Sequence, residues 1–318
     1  MSKSIAALIL SLAVVGLMLY WLTTNERTVS QPAAKTSPNP SDPPEANGKA
    51  SSELVLLCAA SNQAVIESIR KTYETETGRK VSVQYGNSQS LLAQLEVSKR
   101  GDLYLPADDS FLQIAKEKQT IAEVVPIATM QVGLAVRKGN PKNIKTLSDL
   151  LRDDVRLVQA TPEAAAVGKV TKSILEQSGQ WEKINTATEA FRSTVTEVAT
   201  DVQISAADVG IVYNAVLHSF PELEFVPLDE FETAVSQVSI GVAKSTENSA
   251  AALHFVRYVT AADRGLQNYR EYGFTTGSGD SWAGSRIDHL CRIYAAACDR
   301  GYDHRVRETR RCESFANV

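Results

Sequence analysis

LVLLCAASNQAV (54–65) and VSVQYGNSQSLLAQL (81–95) share one grammar: an apolar run, a few small polar residues, then apolar residues at helical spacing. In the first, Leu54 to Cys58 is apolar without alternation, as a strand covered on both faces would be. The polar residues place Ser61 at the N-cap of a helix running from about Asn62 to Thr77. Val65, Ile66, Ile69 and Tyr73 form its apolar face and Gly78 is its stop signal. The second stretch repeats this with a strand at Val81 to Tyr85, Ser88 at the corresponding helix start, and Leu91, Leu92 and Leu95 on the buried side. Strand, turn and helix recurring in this order predict parallel-sheet α/β architecture.

The remaining pattern extends that reading. Leu103 to Leu105 is a third strand, followed by a helix through Phe111, Ile114 and Ala115. VVPIATMQVGLAV (124–136) is too long for one ordinary strand, carries Pro126 and reads as a crossover between lobes. Leu157 to Ala160, a helix to about Gln177 and a strand at Val209 to Tyr213 make a second α/β unit. The chain returns at Val235 to Val242 before a last helix from about Ser249 to Tyr258. The expected architecture is α/β and two-lobed, with residues 53–126 and 238–283 in lobe 1 and 127–237 in lobe 2. Two crossings make a hinge and a cleft, and folds of this class bind ligands at strand C-termini.

Composition narrows the function. The 318 residues are 43% hydrophobic and 22% charged, long enough for two lobes, and the net charge of −4 lacks the basic surface that nucleic-acid binding needs. IAALILSLAVVGLMLYWL (5–22) is uncharged and about the length that spans a hydrocarbon core. It ends in Tyr20, Trp21 and Leu22 without a small-x-small cleavage site. An N-terminal transmembrane anchor is therefore expected over a removed signal, the alternative being a soluble periplasmic protein. With Lys3 before the run, the N-terminus stays in the cytoplasm and the rest is exported, placing the binding domain in the periplasm of a bacterial inner membrane. Residues 25–52, rich in Pro, Ser and Asn, read as a flexible tether. Cys58 is a small buried hydrophobe. Cys291, Cys298 and Cys312 fall in an Arg-rich stretch, 284–318, expected to be a disordered tail from a shifted reading frame or the remnant of a longer chain. No Cys or His spacing suggests a metal site.

Chemistry enters through the paired serines. A hydroxyl and free N–H groups at a helix start are donors aimed at an anion, and the helix dipole has the matching sign. Two such ends facing one cleft hold a dianion without Lys or Arg, although each serine alone is also an ordinary N-cap. As a nucleophile Ser61 lacks both a G-x-S-x-G elbow and a His placed as its base. Asp102 and Asp108, in GDLYLPADDSF, read as caps of a turn and a helix rather than as a metal or acid–base pair.

Together with these, the pieces CAASNQAV (58–65), YGNSQSLLAQLE (85–96), GDLYLPADDSF (101–111), VRKGNP (136–141), TPEAAAVGK (161–169), DVGIVYNA (208–215) and YREYGF (269–274) occur in order. From about Leu54 to Phe274 the chain resembles the periplasmic molybdate-binding proteins of ABC importers, which have the type II periplasmic-binding-protein fold. The resemblance implies an oxyanion held by two serines, here Ser61 and Ser88, by the tyrosine after G-I-V, Tyr213, and by backbone amides. One amide is that of Val167, where A-V-G replaces the family's more usual P-A-G. The other best fits Val195 in STVTEV, with Phe191 as a competing alignment. It further implies a molybdate or tungstate ligand, no cofactor, no enzyme activity, a monomer, and an ABC permease as partner. A sulfate-type binder and a membrane-tethered oxyanion sensor are the alternatives. A cage of neutral donors suits a fully deprotonated dianion, whereas the proton of hydrogen phosphate needs an acceptor.

Overall fold

The computed structural model describes residues 53–282. The apolar run 5–22, the tether 25–52 and the stretch 284–318 with its three cysteines lie outside the described residues. Among the described residues no helix is long and apolar enough to cross a membrane.

β1 (Leu54–Ala59) pairs in parallel with β2 (Val81–Gly86) and with β3 (Leu103–Leu105). Helices α1 (Gln63–Thr77), α2 (Ser88–Ser98) and α3 (Ser110–Glu117) each follow one of these strands. The expectation of a parallel sheet needs correction, because the sheet is mixed: two long strands at its centre run antiparallel to each other and to the strands beside them. β4 (Ile121–Arg137) is antiparallel to its partners. Its first part pairs with β9 (Val235–Ala243) and β10 (Thr275–Thr276), and its second with β7 (Val209–Tyr213) and β8 (Leu223–Val226). β5 (Leu157–Ala160) joins β7 and β6 (Thr188–Arg192) in parallel, giving the order β2-β1-β3-β9-β4-β7-β5-β6. The direction of β4 and β9 follows from their task of carrying the chain out to the second α/β unit and back.

The 124–136 stretch is thus part of one strand of 17 residues. Pro126 is accommodated where the β4–β9 register shifts between Pro126 and Ala128. The bulge leaves Ile127 out of the ladder directly after Pro126, which stays in register with Ser239, and such irregularities are where a strand tolerates proline. The second unit is completed by α4 (Ala166–Gln177), α5 (Trp181–Ala187) and α6 (Val195–Gln203). The chain then closes on the first unit with α7 (Ser249–Val259) and α8 (Gly265–Glu271).

Burial follows the apolar pattern. Leu56, Leu57, Ile66 and Ile69 are fully enclosed beneath α1, and Tyr73 stacks edge-on against Phe255 and Tyr258 of α7. Cys58 is enclosed in the same layer, and burial pushes its thiol well above the ordinary range, in keeping with a packing role. Gly78 takes the left-handed conformation (φ 70°) that ends α1, its N–H donating to Glu74 O.

Asp102 binds β1 and the end of β9 together. Its carboxylate accepts from Val55 N at 2.8 Å and from Thr246 Oγ1, and its carbonyl accepts from Ala243 N at 2.9 Å. Asp102→Ala strands the half-buried Val55 N–H, and a donor left without a partner costs about 1 kcal/mol, the low end of the range for buried groups. Chemical denaturation is expected to show a loss of that size with anion affinity unchanged; an equal loss of affinity would place Asp102 in the binding site.

Candidate functional site

Both proposed helix caps sit one residue from their expected position. Ser61 lies in a single 3-10 turn, Ala60–Asn62, and the residue before α1 is Asn62. Ser88 is the first residue inside α2, and the cap is Asn87, whose side chain accepts from Ser90 N at 2.7 Å. The shift has a chemical consequence. Since Asn87 satisfies the helix start, the Ser88 hydroxyl is free of capping.

Ser61, Ser88, Val167, Val195 and Tyr213 all line one cavity, together with Gly86, Asn87, Ala107 and Thr194 among others. Its volume is about 20 Å³. That exceeds the roughly 10–15 Å³ one water requires. It is far below the roughly 300–1,000 Å³ pockets that hold drug-sized ligands.

Four helix starts meet there. The chain enters α1 through Ser61 and α2 through Ser88. α4 begins beside the cavity with Ala166 and Val167, and α6 begins there with Val195. The first N–H groups of a helix have no partner inside it, so the amides of Val167 and Val195 are available donors. At α6 a capping box engages the flanking amides: Thr194 N donates to Glu197 Oε2 at 3.0 Å and Glu197 N to Thr194 Oγ1 at 3.2 Å. It leaves the Val195 amide unengaged. Phe191, the competing alignment, sits on β6 with its side chain 38% exposed and does not line the cavity.

Tyr213, at the end of β7, is fully buried, and its hydroxyl lies 2.7 Å from Ser236 Oγ. Burial, with the nearby Asp108 carboxylate adding to it, pushes the phenol well above its ordinary pKa, so it keeps its proton at any physiological pH. Asp108 itself accepts from Ser110 N at 3.0 Å at the start of α3, a turn-capping role. No side chain lining the cavity is charged. Among the described residues no group of His, Cys, Asp and Glu could hold a metal ion.

Contacts around the cavity join the two units. Gln89 N donates to Ala164 O at 3.2 Å, and Thr196 Oγ1 to Ala60 O at 3.4 Å. Lys169 Nζ reaches across to Ser110 Oγ at 3.0 Å and lies 5.0 Å over the Phe111 ring.

The sequence profile of bacterial extracellular solute-binding proteins matches residues 54–275. A Mycobacterium tuberculosis protein named molybdate-binding protein ModA is 28% identical over 229 residues, covering 71% of this chain and 86% of that protein. A Haemophilus influenzae relative is 29% identical over 133 residues, and the alignment covers 42% of this chain and 54% of that protein, about half its length. Among solved structures, the periplasmic molybdate-binding protein of Azotobacter vinelandii superposes with a TM-score of 0.62 at 16% identity, covering 71% of this chain and 100% of that one. At that identity the likeness is one of two-lobed fold.

Proposed function

Because the chain belongs to the bacterial extracellular solute-binding protein family, we propose that it captures a small tetrahedral oxyanion, molybdate or tungstate, for an ABC permease in the membrane. The observation that carries this reading is the meeting of four helix starts and one tyrosine hydroxyl on a small cavity without a charged side chain. In the proposal the ligands are the hydroxyls of Ser61, Ser88 and Tyr213 and the amides of Val167 and Val195. Such donors replace the anion's water, and a hydrogen bond to a charged group contributes about 1.5–3 kcal/mol. The positive ends of the helices supply charge complementarity without a cation that would itself need desolvation.

The lobes, 53–126 with 238–283 and 127–237, open and close about β4 and β9 to admit and enclose the anion. The relative named for molybdate supports the choice of anion, as does the cavity, which is too small for a sugar or peptide. Residues 5–22 hold the domain at the outer face of the membrane, beside its permease. The site binds and releases; it performs no chemistry on its guest and takes no cofactor.

Calorimetric titration with molybdate, tungstate, sulfate and hydrogen phosphate tests the proposal. Saturable one-to-one binding is expected for molybdate and tungstate, weaker binding for sulfate and the weakest for hydrogen phosphate. Affinity for molybdate stays level from about pH 6 to 9, because the only titratable side chain on the cavity, Tyr213, is held protonated. An absence of saturable heat with every dianion would overturn the reading.

A further inference from the structure

A hydroxyl has one proton and two lone pairs and rotates to suit its surroundings, so a ring of hydroxyls is not by itself a ring of donors. What fixes its polarity is whatever donates to each oxygen from behind. Each of the three hydroxyls proposed as ligands has a polar neighbour behind it.

Asn62 Nδ2 donates to Ser61 Oγ at 3.2 Å, and Asn62 Oδ1 in turn takes the Tyr269 hydroxyl proton at 3.3 Å. Asn62 and Tyr269 are both fully buried. The backbone N–H of Ala107 donates to Ser88 Oγ at 3.2 Å, while the Tyr104 hydroxyl holds the Ser88 carbonyl at 2.7 Å. Ser236 Oγ, fully buried on β9, lies 2.7 Å from the Tyr213 oxygen, a pair in which either hydroxyl can donate. Among the described residues neither Ser61 nor Ser88 donates its hydroxyl proton to a protein acceptor. Asn62 and Ser236 do not themselves line the cavity.

Resting on the oxyanion reading above, we infer that Asn62 and Ser236 are specificity-determining positioning residues: they donate to Ser61 and Tyr213 from behind and turn both hydroxyl protons into the cavity. Ala107 N–H does the same for Ser88 from the backbone. The three hydroxyls and the amides of Val167 and Val195 then all present donors to the anion. A fully deprotonated dianion meets a proton at every contact, while a singly protonated oxyanion has one O–H facing lone pairs already in use. Discrimination between these classes is therefore set one layer behind the ligand.

The test uses the full chain and compares molybdate with hydrogen phosphate as probes. Asn62→Asp keeps the shape but replaces the donor with an acceptor, so the Ser61 proton turns away from the cavity. Molybdate affinity should fall at least tenfold, the molybdate-to-phosphate affinity ratio should shrink, and the pH profile should tilt, with affinity recovering as the introduced carboxyl takes up a proton. Ser236→Ala should likewise lower molybdate affinity and the ratio, and Ser236→Thr, which keeps a hydroxyl, should restore both. Thermal unfolding without anion separates folding from binding, and if one variant does not fold the other carries the test. Should wild type bind no dianion, the oxyanion reading itself fails. Should wild type bind molybdate and Ser61→Ala weaken it, while Asn62→Asp and Ser236→Ala keep the wild-type ratio and pH profile, the inference alone is overturned, even if their overall affinity drops.

Discussion

In the Ser88→Asp variant, titration with molybdate is expected to give no measurable binding, a loss of at least about a thousandfold, while the anion-free protein unfolds near the wild-type temperature. Ser88 is 2% exposed and opens α2, and its oxygen accepts from Ala107 N. A carboxylate keeps that acceptor and suits a helix start, so the fold loses little. The anion meets the opposite situation. A negative charge near 4 Å from another costs about 4 kcal/mol at an effective dielectric of 20, and the lost donor adds about 1.5–3 kcal/mol. At about 1.4 kcal/mol per factor of ten, the sum exceeds a thousandfold.

Ser88→Ala should show a contrasting pattern. Removing one charge-assisted bond weakens binding by a factor of tens, yet the Ala107 N–H is left buried without an acceptor, which costs about 1–3 kcal/mol of stability. The charged variant thus spares the fold and loses the ligand, and the neutral one harms both moderately. Wild-type affinity in Ser88→Asp would remove Ser88 from the site.

How much of this could be read in advance depended on where the information lies. β1 with α1 and β2 with α2 were legible because apolar patterns and helical spacing are local; β1 is enclosed and β2 alternates between half-buried or buried and exposed residues, as those patterns require. β6, sequence TEAFR, was missed since it has a partner on only one side and alternates half-buried with exposed residues. The crossover at 124–136 was legible, but not that it is one long strand, because Pro126 argues against a strand and only the register shift against β9 shows how it is tolerated. At α2 the helix start moved by one residue because Asn competes with Ser as a cap, and Asn87 takes that role; at α1 it moved because a 3-10 turn, Ala60–Asn62, precedes the helix.

Within the proposed site, the two serines were legible as candidate donors from their own chemistry. Val167 and Val195 were not, since an apolar side chain says nothing of its amide; the family resemblance supplied them. Asn62 and Ser236 left no signal at all. Ser236 meets Tyr213 from 23 positions away and Tyr269 reaches Asn62 from 207 away, pairings that only the folded chain reveals.

The amide contribution is best tested at Gly168, where the backbone allows no side chain. A Cβ there would stand 2.3 Å from Ala160 O and 2.9 Å from Pro162 N, both main-chain atoms that cannot swing aside. In Gly168→Ala the first turn of α4 must therefore move off the end of β5, carrying the Val167 N–H with it. Overpacking of this kind costs about 1–3 kcal/mol of stability. Losing alignment of one bond to a charged guest costs about 1.5–3 kcal/mol more, a drop in molybdate affinity of roughly ten- to a hundredfold. Val167→Ala separates side chain from amide. It trims an apolar group that is 2% exposed but leaves the N–H in place, so stability falls modestly while affinity stays within a few-fold of wild type. Calorimetry on the pair decides the matter: equal losses of affinity would mean that the Val167 side chain, and not its amide, serves the cavity.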